Sequence, residues 1–73
     1  NDFFVIDGLQ YFPGSKLTIF NRWGNIVLED EDYKNNWSPI DVSEGTYYYI
    51  LELAMPDLTT EFYSGHFTML NKE

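Results

Sequence analysis

The chain contains no cysteine, which removes disulfides, thiolate metal sites and cysteine nucleophiles and leaves the redox compartment unmarked. It has one histidine, and four Lys and Arg residues against twelve Asp and Glu, for a formal charge of −8. That imbalance excludes nucleic acid and disfavours anionic membrane surfaces, because both would repel the protein. Apolar runs such as Tyr47-Tyr48-Tyr49-Ile50-Leu51 fall far short of the roughly 20 residues that a spanning helix needs, so direct membrane insertion is not expected. No signal-peptide pattern opens the sequence. Any export address is therefore expected upstream in a longer polypeptide or in the domain itself.

What the sequence has in quantity is aromatic surface. Its 73 residues fit one domain, spanning 1–73, and include six Phe, six Tyr and two Trp. A domain of this size buries only roughly 60% of the surface its unfolded chain exposes. Large rings, each bringing about 150–250 Å² to bury, substitute for length and for disulfides.

Short β-prone segments alternate with turn signals, and no sustained helical period of apolar residues appears, so the sequence predicts an all-β domain with almost no helix. Phe3 to Ile6 reads as a first strand closed by Asp7-Gly8, and Leu9 to Phe12 leads into the turn Pro13-Gly14-Ser15. Leu17 to Asn21 and Asn25 to Glu29 form a hairpin whose Gly24-Asn25 tolerates positive φ. Trp23 at its tip is expected to fold back onto the sheet. The run Glu29-Asp30-Glu31-Asp32 reads as a solvated loop, and Tyr33 to Trp37 as a short connecting strand ended by Ser38-Pro39. After the turn Asp41 to Gly45, the longest strand runs from Thr46 to Ala54. Its alternation puts Tyr47, Tyr49, Leu51 and Leu53 on a core face and Thr46, Tyr48, Ile50 and Glu52 on the other. Phe62 to Leu70 is the final strand, in which Gly65 marks a bulge or a close backbone approach, and Asn71-Lys72-Glu73 is a polar tail. Six or seven short strands in a small Ig-like antiparallel β-sandwich are the expected architecture.

Candidate chemistry is sparse. His66 and Ser64 lie two apart on one strand without a third orienting group, so a half-exposed strand histidine is expected and catalysis is not. The acidic run with Asp41 and Glu44 offers oxygen ligands suited to calcium, yet the spacing is not that of an EF-hand and no glycine lets the run wrap. A solvated acidic face is the expectation, with no metal or other cofactor. Asn36-Trp37-Ser38 fits a glycosylation acceptor formally, but Pro39 follows it, and we read it as coincidence. Trp23, Trp37 and the tyrosines 47, 48 and 49 could stack on sugar rings, which keeps a carbohydrate-binding or adhesive surface module as the alternative function.

Several segments, in order, resemble one family: the gliding-motility-associated carboxy-terminal domain, or type B sorting domain of type IX secretion in Bacteroidota. They are Asn1-Asp2-Phe3-Phe4-Val5-Ile6-Asp7-Gly8-Leu9, Tyr11-Phe12-Pro13, Ile19-Phe20-Asn21-Arg22-Trp23-Gly24, Tyr33-Lys34-Asn35-Asn36-Trp37, Glu44-Gly45-Thr46-Tyr47-Tyr48-Tyr49 and Tyr63-Ser64-Gly65-His66-Phe67-Thr68-Met69-Leu70. The family opens with a further strand before Asn-Asp, so this chain resembles a sandwich lacking its first strand. The resemblance implies a carboxy-terminal sorting signal that sends an amino-terminal passenger in the same polypeptide through the periplasm and outer membrane to the cell surface or medium. It implies binding, not catalysis. The implied partners are a small outer-membrane β-barrel protein and the type IX translocon. Partner-recognition candidates are Asn21, Arg22, Trp23 and Gly24 at the hairpin tip, Tyr48 on the exposed face, and Lys72 as counterpart of the basic residue that closes the family's last strand. Arg22 has two open readings: a forked, permanently charged contact for a partner, or an internal tie to a neighbouring carboxylate or carbonyl.

Overall fold

The computed structural model describes residues 4–38 and 42–70. Four antiparallel strands form one sheet, namely β1 (Lys16–Phe20), β2 (Ile26–Asp30), β3 (Gly45–Ala54) and β4 (Thr60–Met69), in the spatial order β2-β1-β3-β4. The expected readings for Asn1 to Phe3, Pro39 to Asp41 and the tail from Asn71 lie outside the described residues.

The period-two pattern sets the core. Register places Leu17 opposite Leu51, Ile19 opposite both Tyr49 and Leu28, and Tyr47 opposite Phe67, all on one face. Leu17 and Ile19 are fully buried there, and Tyr47 and Leu51 nearly so, as the alternation of the longest strand predicts. Between Ile19 and Phe20 the register slips, so that Val27 becomes an extra residue in β2 and packs against the core beside its neighbour Leu28. The bulge therefore sits in the first hairpin and not at Gly65, whose ladder is continuous. Gly65 is a close approach of another kind: a Cβ built there would lie 2.6 Å from the Tyr49 hydroxyl oxygen, because that ring lies across the glycine.

The described residues make one sheet of four strands, and what covers its core face is irregular chain. Phe4 to Ile6 is not a strand, Leu9–Tyr11 is a 3₁₀ turn, and Tyr33 to Trp37 has no ladder. These segments hold one another through side chains. The Tyr33 hydroxyl donates to the Phe4 carbonyl and accepts from the Trp37 amide at 3.2 Å, and the Phe4 amide donates to the Trp37 carbonyl at 2.8 Å. Asn35 does for Ile6 what a neighbouring strand would do: its Oδ1 accepts from the Ile6 amide at 2.8 Å and its Nδ2 donates to the Ile6 carbonyl at 3.3 Å. It does so with φ at 58°, a left-handed conformation that asparagine tolerates better than most residues. Phe4 is thereby held against Phe67 and Tyr49, with ring centroids at 5.0 and 5.6 Å.

Ser15 ties this layer to the sheet. Its buried Oγ donates to the Phe12 carbonyl at 2.7 Å and accepts from the Ala54 amide at 2.9 Å, while its own carbonyl accepts from the Tyr33 amide at 3.0 Å. The acidic run is only partly a solvated loop. Glu29 and Asp30 belong to β2, Glu29 pairs with Lys16 at 3.1 Å, and Asp32 accepts from the Gly14 amide and from Lys34. Its pKa falls below the ordinary carboxylate value, first because of the Lys34 ammonium and then because of the Gly14 amide.

The two hairpins share one loop geometry. Asn21 donates to the Asn25 carbonyl and Gly24 to the Asn21 carbonyl; likewise Met55 donates to the Thr59 carbonyl and Leu58 to the Met55 carbonyl. In each, the last loop residue is left-handed, Gly24 at φ 84° and Leu58 at φ 73°. Leucine has a Cβ that clashes there, and Leu58 gains nothing in return from burial, being 95% exposed.

Two outcomes follow. Leu58→Gly should raise unfolding free energy by about 0.5–1 kcal/mol, the relief of left-handed strain exceeding the added unfolded-state freedom; a urea titration checks this. A carboxylate depressed in the folded state adds stability above its unfolded pKa and loses it as pH falls through the folded value. Asp32→Asn should therefore melt below the parent at neutral pH, with the gap closing as pH falls below the ordinary carboxylate value and through the lowered folded one. A gap independent of pH would contradict the ionic part of that tie.

Candidate functional site

The first hairpin divides its residues between two jobs. Asn21 Oδ1 accepts from the Trp23 amide at 3.0 Å and from the Asn25 amide at 2.9 Å, closing the tip from inside. Gly24 supplies the positive φ. Both residues therefore have full structural reasons to be where they are. Asn25 does not take the positive φ that its type would permit.

Arg22 and Trp23 have no such role. Trp23 is 72% exposed, contrary to the expectation that it folds back onto the sheet. The turn fixes the reason: with Asn21 holding its amide, the side chain of Trp23 leaves the tip away from the core, and the guanidinium carbon of Arg22 sits 4.5 Å from the centre of its ring. A cation over an indole face in water contributes about 0.5–1 kcal/mol, enough to orient the pair but not to hold the fold. Among the described residues no carboxylate lies within ion-pair distance of Arg22, so the internal carboxylate tie is not made.

Tyr48 lies on the open face of the sheet, 46% exposed, in a row that crosses the strands from Ile26 through Phe20 and Tyr48 to His66. The Tyr48 and His66 rings are 6.2 Å apart. This row stands at the hairpin-tip end of the sheet, since Phe20 is the last residue of β1. Ser64 shares the face with His66, and both are exposed. Lys72 lies outside the described residues. Among the described residues no group of three or more His, Asp or Glu side chains is placed to hold a metal ion.

Among the described residues the longest free edge belongs to β4, which has β3 on one side and no strand on the other. Sequence reading does not single out this edge, because strand order depends on which hairpins dock and not on any one residue. Leu58 is likewise illegible, since its strained conformation comes from the loop's hydrogen bonds and leucine gives no signal of it.

The division of labour at the tip is measurable. Asn21→Ala should lower stability by about 1–2 kcal/mol, because two backbone amides lose their acceptor. Trp23→Ala should cost no more than about 0.5–1 kcal/mol, the loss of one exposed cation–π contact. Equal losses in chemical denaturation would contradict the assignment.

No curated protein and no solved structure matches the chain. The model of one family does, the CHU_C type IX secretion signal domain, over residues 1–69. That span includes both hairpins, the Tyr33-x-Asn35-x-Trp37 clamp and the whole of β4. The chain belongs to the type IX secretion signal domain family.

Proposed function

We propose that this domain acts by binding outer-membrane components of the type IX machinery, a small β-barrel partner and the translocon, and that the Arg22–Trp23 tip is part of the contact. Membership of the family already makes the domain a sorting signal in a protein exported to the cell surface or the medium. The observation that carries the finer reading is the exposed tip. Asn21 and Gly24 are accounted for by the turn, whereas Arg22 and Trp23 are oriented, solvent-facing and without a role in the core. Tryptophan and arginine are among the side chains that most often dominate protein interfaces, tryptophan through its large rigid apolar area and arginine through its forked, permanently charged donors. Tyr48 extends the same end of the molecule, and Lys72 completes the candidate set by its place after the last strand. The proposed action is recognition without catalysis and without a cofactor. An Ig-like sandwich remains the architecture of this reading, with segments 4–12 and 33–37 lying where a second sheet would pack.

The test is export of a periplasm-targeted fluorescent reporter joined to the amino-terminal side of the domain with its native upstream residues. Appearance outside the cell that requires intact type IX machinery, and that drops when Arg22 and Trp23 are both changed to alanine in a domain that still folds, is the expected result. Retention of the parent fusion in the periplasm beside its cognate machinery would overturn the proposal. A glycan-binding module is the second reading, favoured by the exposure of Trp23 and Tyr48 at one end. Glycan titrations that shift both rings would move it to first place.

A further inference from the structure

The two hairpin loops share their hydrogen bonds but not the residue at their left-handed position. Gly24 holds it in the first loop at φ 84° and Leu58 in the second at φ 73°, each with its amide donating to the carbonyl three residues back. The first loop shows that this geometry needs no side chain there. A leucine strains the backbone through its Cβ. At 95% exposure Leu58 is also the most exposed large apolar side chain among the described residues, so no contact within them offsets the strain.

The loop around Leu58 is held firmly. Besides the Met55 amide on the Thr59 carbonyl at 2.9 Å and the Leu58 amide on the Met55 carbonyl at 3.0 Å, Asp57 Oδ1 accepts from the Thr59 amide at 3.1 Å and from the Thr59 hydroxyl at 2.5 Å. The hydroxyl first and then the amide hold the Asp57 carboxyl below its ordinary pKa, so it is ionised at neutral pH. These bonds fix the backbone that carries the leucine before anything meets it, and a preformed loop loses less freedom on docking.

Strand order sets the two loops apart. The Leu58 loop joins Ala54 of β3 to Thr60 of β4, at the end of the sheet where Lys16 opens β1, whereas the Arg22–Trp23 tip follows Phe20 at the other end. Pro56, Asp57 and Thr59 beside the leucine are exposed as well. Whatever covers Leu58 therefore takes Asp57 with it, and an ionised carboxylate loses its water only where donors replace it.

We infer that Leu58 is an interface residue, which the second loop seats in an apolar pocket of a partner protein whose rim donates hydrogen bonds to the Asp57 carboxylate. The inference rests on the sorting role for the partner's origin in the export machinery, and it adds a contact at the end of the sheet away from the Arg22–Trp23 tip. Asp57 argues against the other occupants. At an anionic lipid surface it would meet like charge beside the entering leucine. Two copies joined loop to loop would set Asp57 against Asp57, and a leucine seated elsewhere on a second copy would run head to tail into open chains, so neither makes a closed dimer.

The test is machinery-dependent export of the reporter fusion, with thermal melts of the same variants. Leu58→Gly removes the side chain and the strain together, and it should melt above the parent while export falls at least about tenfold, the scale of one leucine side chain buried in a pocket. Leu58→Asn, polar and suited to left-handed backbone, should lose export to a similar degree. Leu58→Met, apolar and equally strained, should recover most of what glycine loses. A loss of export in a variant more stable than the parent separates contact from folding. Export of the glycine and asparagine variants at the parent's level overturns the inference and leaves the sorting role standing, whereas retention of the parent fusion overturns the sorting role and this inference with it. Flotation of the passenger-bearing polypeptide with vesicles of phosphatidylethanolamine and phosphatidylglycerol, lost in Leu58→Gly, would assign the leucine to lipid. Sedimentation showing an assembly that Leu58→Gly dissolves would assign it to a second copy, and either result overturns the inference as well.

Discussion

The hydroxyl of Tyr33 donates to the Phe4 carbonyl and accepts from the Trp37 amide, and the layer that covers the sheet depends on that buried atom. Four strands alone leave Leu17, Ile19, Tyr47 and Leu51 facing water on one side. Segments 4–12 and 33–37 must shield them, yet neither segment has a ladder to satisfy its own backbone. Tyr33 and Asn35 supply those partners from side chains, and Ser15 joins the result to β3. Burial raises the Tyr33 pKa, as expected for a phenol whose ionised form has lost water. In a small domain without disulfides, a few such bonds decide whether the apolar face is covered.

The clamp also explains which parts of the fold were legible in the sequence. Strands β1, β3 and β4 and the first hairpin follow from alternation and from Gly24, signals that are local. Tyr33 to Trp37 and Phe4 to Ile6 have the composition of strands, but Asn35 is left-handed and their hydrogen bonds go to each other, through Tyr33, Asn35 and one bond from the Phe4 amide to the Trp37 carbonyl, and form no ladder. Composition reports a preference for extended backbone and says nothing of the partner. The Tyr-x-Asn-x-Trp spacing resembled a family signature without disclosing its physical meaning, which is the pairing of one side chain with the two backbone groups of Ile6.

The hairpin tip was legible in a different way. Asn21, Arg22, Trp23 and Gly24 were singled out together, and the structure separates them into two residues that make the turn and two that the turn displays. Trp23 faces outward because the turn's hydrogen bonds fix its backbone, a constraint invisible to the general preference of tryptophan for burial.

If side-chain clamping holds the cover on the sheet, Tyr33→Phe isolates it, since the ring remains and the hydroxyl goes. Residue-resolved amide exchange in this variant should show Ile6 and Trp37 losing protection while the amides shared by β1 and β3 keep theirs, with unfolding free energy lowered by about 1–3 kcal/mol for the two groups left unpaired. Unchanged protection at Ile6 and Trp37, in a variant as stable as the parent, would contradict the dependence of the covering layer on that hydroxyl.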